Sequence, residues 1–301
     1  MSSPRLSIVL PTWQGERDLE RLLPALAAQE IAGSPPGEGF EVLAVDSSST
    51  DRSRALLERA GARVERIEKS AFRHGATRNQ AARAARGEFL VFLSQDALPR
   101  DKGFLAALVA PFVDPRMGGV YARILPHEDD DPLTARTVLS APEASAEGET
   151  REIGTGSTLA ALDDSARARL CGFNDVASAI RRSAFEAIPF PDVEFGEDVA
   201  WAARALEAGW KIRFEPRAVV YHSHRYSPSR AYRRYRVDAD FHRRQFQRRL
   251  RPNLASVARG VAYEVREDWR HVARHGGFAH LLRSPFLRAA QVLGQYAGSR
   301  A

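Results

Sequence analysis

Side chains able to bind metals or move protons stand beside three apolar or amphipathic runs of this sequence. Asp96 follows the apolar run EFLVFL after two polar residues. His222 and His224 follow the run AVVY, and Glu197 and Asp198 open a helix-like segment. Carboxylates and imidazoles bind divalent cations, and a buried carboxylate can act as a general base. These residue types therefore indicate a metal site for phosphate groups, with an acid such as Asp198 as the base.

Each of these groups taken alone also has a structural explanation. Asp96 stands in a turn-like stretch, since Asp and Pro favour turns. Acids in a first helical turn, such as Glu197, complement the helix dipole. Alternation in an extended segment would send both His222 and His224 to one side, yet such pairs are commonly polar packing. The functional interpretation rests on several groups occurring together.

The stretch FRHGATRN, residues 72–79, adds positive charge around a helix start. A helix N-terminus beside arginine attracts anions. Arg78 is therefore a candidate to neutralise phosphate charge.

The elements that must position these residues alternate between strand and helix over the first hundred residues. Apolar runs predict strands at 6–10, 40–46, 62–68 and 88–93, and helical spacing predicts helices at 16–29, 51–61 and 75–87. This alternation is typical of an α/β fold with a mostly parallel sheet flanked by helices. Ligands of such sheets bind at the carboxyl ends of the strands, where Pro11-Thr12-Trp13, Asp46 and Ser94-Gln95-Asp96 fall. Pro24 is expected to kink or shorten the first helix.

Beyond residue 100 the pattern is less regular. Residues 127–165 are rich in acids, Ser, Thr and Gly, which predicts loops, and Gly209 is the expected stop of the helix that Glu197 opens. We expect one domain at 1–225 and a basic, mainly helical extension at 226–301. The absence of a GxGxxG stretch after the first strand and of a P-loop signature disfavours dinucleotide-binding and P-loop folds.

The positive charge of the chain is concentrated in one region. The formal net charge is +6 with only three lysines, and residues 225–259 hold eleven arginines and two aspartates. Such a stripe suits phosphate groups or the inner face of an anionic membrane. A solvated pair of arginine-rich helices, in a protein from a GC-rich genome, is the structural alternative.

Membrane spans, disulfides and Cys-x-x-Cys metal sites are not expected. No stretch approaches the roughly 18–20 apolar residues of a span, and the start lacks the features of a signal peptide. Cys171 is the single cysteine. We expect a cytoplasmic protein, with peripheral contact at the inner face of the cell membrane as a further possibility.

The sequence resembles inverting family 2 glycosyltransferases of the GT-A (Rossmann-like) fold, close to the bacterial rhamnosyltransferase branch. The resemblance covers about residues 5–240 and rests on SIVLPTWQGERDLERLLPAL, VDSSSTDRS, FRHGATRNQAARAARGEFLVFLSQDALP, FGEDVAWAARALEAGW and AVVYHSHRYS. One departure is the Ser-Gln-Asp that ends at Asp96, because many GT-A enzymes carry two acids in an Asp-x-Asp motif. The single carboxylate implies modest metal affinity.

The resemblance implies a donor-binding set. Its members would be Pro11, Thr12, Glu16, Asp46, Arg78 and Gln95. Asp46 would accept a hydrogen bond from a pyrimidine base, and Arg78 would approach the base or the diphosphate.

The resemblance also implies a metal site and a base. Asp96 would bind Mg²⁺ or Mn²⁺ through the donor diphosphate, with His222 or His224 completing the metal or phosphate site. Asp198 would be the catalytic base, and Glu197 would orient the acceptor or the loop.

The expected activity is metal-dependent, inverting transfer of a sugar from a nucleotide sugar to a hydroxyl of a cell-envelope or lipid-linked saccharide. dTDP-L-rhamnose is the expected donor, with UDP- and GDP-sugars open. The alternatives are a sugar-nucleotide-binding protein without activity, a nucleotidyltransferase, and a basic nucleic-acid-binding module. Nucleic acid is not an expected partner, because acids at three strand ends would repel phosphate unless a metal intervenes.

Overall fold

The computed structural model describes residues 4–35 and 37–300. Their contacts divide into two compact units. The first unit contains the described residues up to Ile124, Ser145–Leu159 and Leu170–His222, and the second contains Leu125–Ala144, Ala160–Arg169 and the described residues from Ser223 onward. None of the helices in these described ranges is long and apolar enough to cross a membrane.

The strands and helices follow one another in an alternating order over the first third of the chain. The strands are β1 (Leu6–Thr12), β2 (Phe40–Asp46), β3 (Arg63–Arg66), β4 (Phe89–Leu93), β5 (Leu98–Pro99), β6 (Met117–Leu125), β7 (Glu149–Arg151), β8 (Ala177–Arg181) and β9 (Lys211–Tyr221). The helices are α1 (Glu16–Ala27), α2 (Ser53–Arg59), α3 (His74–Arg83), α4 (Phe104–Val109), α5 (Pro132–Leu139), α6 (Asp164–Leu170), α7 (Arg182–Ala187), α8 (Glu197–Glu207), α9 (Pro228–Phe246), α10 (Leu254–His275) and α11 (Ser284–Gly298).

The first unit is built on one sheet with the spatial order β3-β2-β1-β4-β8-β6-β9-β5, and β7 also pairs with β9. The strands β1 to β4 are parallel, as the alternating sequence pattern predicts. Their apolar side chains, such as Ile8, Val9 and Phe92, are fully buried. This burial stabilises the unit by roughly 25 cal/mol per Å². The pairing register sets Thr12 beside Asp46, so the polar strand ends share one edge.

The remaining strands extend the sheet in antiparallel pairs, which the sequence analysis did not predict. β8 pairs with β4, β6 pairs with β8, and both β5 and β7 pair with β9. Leu98 of β5 lies opposite Tyr221, the last residue of β9. This pairing brings the residue after Tyr221 close to Asp96, which stands two residues before β5.

Two local expectations can be compared with the structure. α1 contains the exposed Pro24 and ends at Ala27, two residues before the end of the predicted helix, while a kink at the proline stays a prediction. The prediction of loops throughout 127–165 is wrong, since α5, β7 and the start of α6 lie there. α5 begins at the capping residue Asp131, whose carboxylate accepts hydrogen bonds from the N–H groups of Leu133 and Thr134.

The second unit is helical, as predicted for the chain after residue 225. α9 and α10 begin at the side-chain caps Ser227 and Asn253. α11 packs closely on α9 at Gly294, where a Cβ atom would stand 2.5 Å from the carbonyl oxygen of Tyr232. Glycine at this position therefore permits the approach of the two helices.

A buried ionic group ties the helices of the second unit together. Asp268 of α10 is fully buried and accepts hydrogen bonds from Arg288 and Ser284 of α11 and from Arg136 of α5. Each charge is therefore compensated, as buried charges require.

Candidate active site

A pocket of about 310 Å³ lies at the carboxyl ends of β1, β2 and β4. Its wall contains five of the predicted site residues: Pro11, Thr12, Arg78, Gln95 and Asp96. Its other lining residues are Trp13, Ser47, Lys69, Phe72, His74 and Ser94. The strand ends that the sequence predicts to converge do meet at one pocket, whose volume is within the range of small-molecule sites.

Two buried oxygens at the end of β2 have no hydrogen-bond partner among the described residues: Oδ1 of Asp46 and Oγ of Ser47. Ser47 lines the pocket, and both side chains are almost fully buried. The other carboxylate oxygen of Asp46 accepts a hydrogen bond from the N–H of Ser49 at 3.0 Å. A buried polar atom without a partner costs about 1–3 kcal/mol. These oxygens are therefore suited to a ligand with hydrogen-bond donors.

Lys69, which the sequence analysis missed, forms a part of the pocket wall together with Trp13. Nζ of Lys69 lies 3.4 Å from the centroid of the Trp13 ring, a cation–π contact. Gln95 holds the turn after β1, because its Oε1 accepts a hydrogen bond from the N–H of Trp13 at 2.9 Å and its Nε2 donates to Asp18 at 3.2 Å. The amide of Gln95 thus keeps the Trp13 backbone at the pocket.

Glu16 is not part of the pocket wall. Its carboxylate accepts hydrogen bonds from Nε of Arg52 at 2.8 Å and from the Arg52 N–H at 2.9 Å. These hydrogen bonds lower the pKa of Glu16. Glu16 joins α1 to the start of α2, and a contact with a nucleotide stays a prediction.

Asp96 and His222 form a pair of potential metal ligands. Oδ1 of Asp96 lies 3.4 Å from Nε2 of His222, and both side chains are largely shielded from solvent. The antiparallel pairing of β5 with β9 produces this contact. One carboxylate oxygen and one imidazole nitrogen at this separation fit a divalent cation that takes its other ligands from a diphosphate. His224 is exposed and belongs to the second unit, and its part in a metal site stays a prediction.

Arg78 connects the pocket to a cluster of three acids. Its guanidinium pairs with Glu197 at 3.0 Å and with Asp175 at 3.1 Å. Asp198 accepts hydrogen bonds from the N–H of Val199 at 2.8 Å and from the N–H of Asp175 at 3.3 Å. His74, which also lines the pocket, lies 3.9 Å from Glu197. The predicted base therefore lies within a connected group of charged side chains that borders the pocket.

The start of α8 sets the position of both predicted acids. The helix begins at Glu197 and ends before Gly209, as predicted. Gly196 precedes it with a φ of 79°, in the left-handed region that favours glycine. The sharp turn at Gly196 thus delivers Glu197 and Asp198 into the first helical turn.

The acids of this cluster outnumber its arginine, and their pKa values rise accordingly. Burial, and then repulsion by Asp175, raises the pKa of Asp198 to about 7. Burial, followed by Asp175 and Asp198, also raises the pKa of Glu197, while Arg78 opposes the rise. A carboxyl group whose pKa lies near neutral pH is well matched to general-base catalysis.

Asp175 is the residue of this cluster that the sequence analysis missed. It lies two residues before β8 and is buried. The signal was the dipeptide Asn-Asp immediately before the apolar residues of β8. Because β8 is antiparallel to β4, its beginning lies at the edge where β4 ends. In the sequence alone, where that antiparallel pairing is not visible, Asp175 looks like an ordinary acidic residue of a loop.

Comparison with known proteins agrees with this architecture. The family model described as "Glycosyl transferase family 2" matches residues 7–188. The chain is 33% identical over 207 residues to the O-antigen chain rhamnosyltransferase WbaN of Salmonella anatum, covering 67% of this chain and 62% of that protein. It is 28% identical over 246 residues to the O-antigen chain rhamnosyltransferase RfbN of Salmonella typhimurium, covering 79% and 72% of the two chains.

Solved structures are similar to this chain as well. The mannosyltransferase PcManGT from Pyrobaculum calidifontis, in complex with GDP-Man and Mn²⁺, has a TM-score of 0.61 at 19% identity, covering 98% of this chain and 86% of that chain. The structure of Staphylococcus aureus TarS has a TM-score of 0.54 at 23% identity, covering 79% and 39%. The fold is thus the GT-A fold of glycosyltransferases. With the match over residues 7–188, the chain belongs to glycosyl transferase family 2.

Proposed function

We propose that this protein is a metal-dependent, inverting glycosyltransferase that moves L-rhamnose from dTDP-L-rhamnose to a hydroxyl group of a saccharide acceptor. The observation that carries the proposal is that Asp96, which contacts His222, and Arg78 line one pocket. Ser47 lines the same pocket, and it follows Asp46, whose buried carboxylate oxygen has no hydrogen-bond partner among the described residues. The family membership supports sugar transfer, and the relatives' names support rhamnose as the sugar.

The nucleotide would bind at the ends of β1 and β2. The unbonded Oδ1 of Asp46 would accept the imide N–H of a pyrimidine, which thymine and uracil both offer. Ser47 has an unbonded hydroxyl at the same strand end. Pro11 and Thr12 would form the floor beneath the nucleoside.

The diphosphate would bind beside Asp96, Arg78 and Lys69, which all line the pocket. Asp96 and His222 would hold Mg²⁺ or Mn²⁺, and His224 is the candidate for a further ligand. A divalent ion there would neutralise charge on the diphosphate as it leaves.

The Asp198 carboxylate would take the proton of the acceptor hydroxyl. The acceptor oxygen forms a bond to the anomeric carbon while the bond from that carbon to the diphosphate breaks, and the electron pair leaves with the nucleoside diphosphate. A single displacement of this kind inverts the anomeric configuration, and its transition state has oxocarbenium character. The two main-chain N–H groups that bind Asp198 would fix its direction.

The acceptor is proposed to be a cell-envelope or lipid-linked saccharide, with peripheral contact between the second unit and an anionic membrane. The chain from residue 223 onward holds seventeen arginines against five acids. On α10, Tyr263 and Trp269 are exposed and alternate with the exposed Arg259, Arg266 and Arg270. Aromatic and basic side chains on one helix surface suit a lipid interface with acidic head groups.

Vesicle sedimentation tests the membrane contact. We expect binding to vesicles that contain phosphatidylglycerol, no binding to pure phosphatidylcholine, and release by salt. The double variant Y263S/W269S should bind less, while Val113→Ser, which changes an exposed apolar residue of the first unit, should bind like the wild type. Equal binding to both kinds of vesicle, or binding to neither, would contradict the proposed membrane contact.

Turnover of a panel of nucleotide sugars tests the function itself. dTDP-L-rhamnose, UDP-glucose and GDP-mannose are incubated with the protein, Mn²⁺ or Mg²⁺ and a saccharide acceptor extract, and release of nucleoside diphosphate is followed. We expect metal-dependent release that is fastest with dTDP-L-rhamnose. Faster release from another nucleotide sugar would identify that compound as the donor instead. Release from none of the nucleotide sugars would refute the proposed activity.

A further inference from the structure

Asp175 touches the proposed base and the pocket arginine at the same time. Its main-chain N–H donates to Oδ2 of Asp198 at 3.3 Å, and its carboxylate lies 3.1 Å from Nε of Arg78. The residue is buried in the loop before β8. It is thus the single described residue that contacts Asp198 through its backbone and Arg78 through its side chain.

Arg78 is shared between two acids, and Asp198 is not one of them. Nη1 of Arg78 lies 3.0 Å from Glu197, and Nε faces Asp175. Within the described part of the chain, no ion pair joins Asp198 to a cation. The charged groups that act on Asp198 are Asp175 from the loop before β8 and Arg78 from α3. Its neighbour Glu197 in α8 interacts with it electrostatically, and Glu197 in turn lies 3.9 Å from His74 of α3.

An arginine beside a carboxylate lowers its pKa by roughly 1–3 units and makes it a weaker base. A base that must accept a proton from a sugar hydroxyl therefore benefits from having no arginine of its own. As long as Asp175 and Glu197 both hold Arg78, the guanidinium forms its ion pairs with these two acids and not with Asp198.

We propose that Asp175 is a positioning residue of the transfer reaction, which keeps Arg78 away from Asp198 and orients the Asp198 carboxylate through its main-chain N–H. This inference rests on the function proposed above. A residue that only stabilised the loop before β8 would affect stability alone, whereas Asp175 also acts on the ionisation of Asp198.

The test is the pH profile of kcat/KM for Asp175→Asn beside two controls. In Asp175→Asn, the negative charge that repels the Asp198 carboxylate is lost, and Arg78 is free to turn toward Asp198. The pKa of Asp198 should therefore fall, and the acidic limb of the pH profile should move to lower pH by about one unit or more. The rate at pH 8 should fall several-fold, because the base is weaker. Asp175→Glu keeps the charge and should retain the wild-type limb. Asp192→Asn, an exposed acid ahead of α8, should change neither. An unmoved limb in a folded, active Asp175→Asn protein overturns the proposal.

A second readout does not depend on turnover. The ¹³C resonance of the Asp198 carboxyl, assigned by its loss in Asp198→Asn, is titrated in the wild type and in Asp175→Asn. We expect its midpoint near pH 7 in the wild type and clearly lower in the variant. Equal midpoints contradict the role of Asp175. If no nucleotide sugar is turned over, the proposed function fails, while this titration still decides what Asp175 does to Asp198. If wild-type turnover is normal and the midpoint does not move, the inference alone fails.

Discussion

Replacing Asp198 by asparagine removes the proposed base with almost no change of shape. A general base contributes about 10²–10⁴-fold to rate, equivalent to about 3–5 kcal/mol of transition-state stabilisation. We expect transfer to fall by this factor. Donor affinity should stay near the wild-type value, because Asp198 is not in the pocket wall.

The same substitution should stabilise the fold at alkaline pH. The folded-state pKa of Asp198 is raised from 3.8 to about 7, so the native state binds one more proton than the unfolded state between these values. The stabilisation that Asp198 gives to the folded state is therefore fully present below about pH 4, and it is lost as the pH rises through about 7. The asparagine side chain does not ionise, and the variant should gain a few kcal/mol at most over the wild type at pH 8, with a difference of roughly 40% of that size at pH 5.

Three assays follow this variant: transfer, donor binding by calorimetry, and denaturant unfolding at pH 5 and pH 8. Glu194→Gln, an exposed acid in the loop before α8, is the matched control and should resemble the wild type in all three. Turnover near the wild-type rate would refute Asp198 as the base. A variant less stable than the wild type at pH 8 would refute the account of the crowded acids.

Three further predictions concern other parts of the molecule. Arg78→Met leaves Glu197 and Asp175 without their cation and should lower the unfolding free energy by about 3–5 kcal/mol at neutral pH; an undiminished denaturant midpoint would contradict the buried pairing. Asp96→Asn should weaken Mn²⁺ binding, measured by electron paramagnetic resonance in the presence of dTDP, by about tenfold or more, whereas unchanged binding would remove Asp96 from the metal site. Gly294→Ala should destabilise the packing of α11 on α9 by about 1–3 kcal/mol, because its Cβ would collide with the backbone of Tyr232. The control is Ala290→Ser, which adds one heavy atom at a half-buried position of the same helix. Equal thermal unfolding of both variants would contradict the close approach of the two helices.

The parallel half of the sheet could be predicted because its information is local. Short apolar runs alternate with helical patterns, and parallel strands joined by helices place their carboxyl ends at one edge. The strand ends that carry Asp46 and Asp96 therefore lie at one edge of the sheet, as predicted. The helix start at Glu197 was also readable, since acids followed by an apolar face and a glycine stop mark both of its ends.

The antiparallel half could not be predicted because its pairing is non-local. Nothing in the residues of β8 says that it lies beside β4, so Asp175 was missed although its neighbours in the cluster were found. For a related reason α5 was missed: its start depends on the cap Asp131 inside an acidic stretch that resembles a loop. Lys69 was missed because its contact with Trp13 joins two segments that are distant in sequence.

Binding of nucleotide sugars to the wild-type protein is the decisive test of the proposed donor site. Calorimetric titrations with dTDP-L-rhamnose, UDP-glucose and GDP-mannose are run with Mn²⁺ and again with EDTA. We expect binding that requires the metal, because Asp96 with His222 would face the diphosphate, and that is tighter for the two pyrimidine nucleotide sugars than for GDP-mannose, because Asp46 would face the base. Of the two pyrimidine donors, the proposed dTDP-L-rhamnose should bind more tightly. Failure of every nucleotide sugar to bind in the presence of Mn²⁺ would contradict the assignment of the strand-end pocket as a donor site.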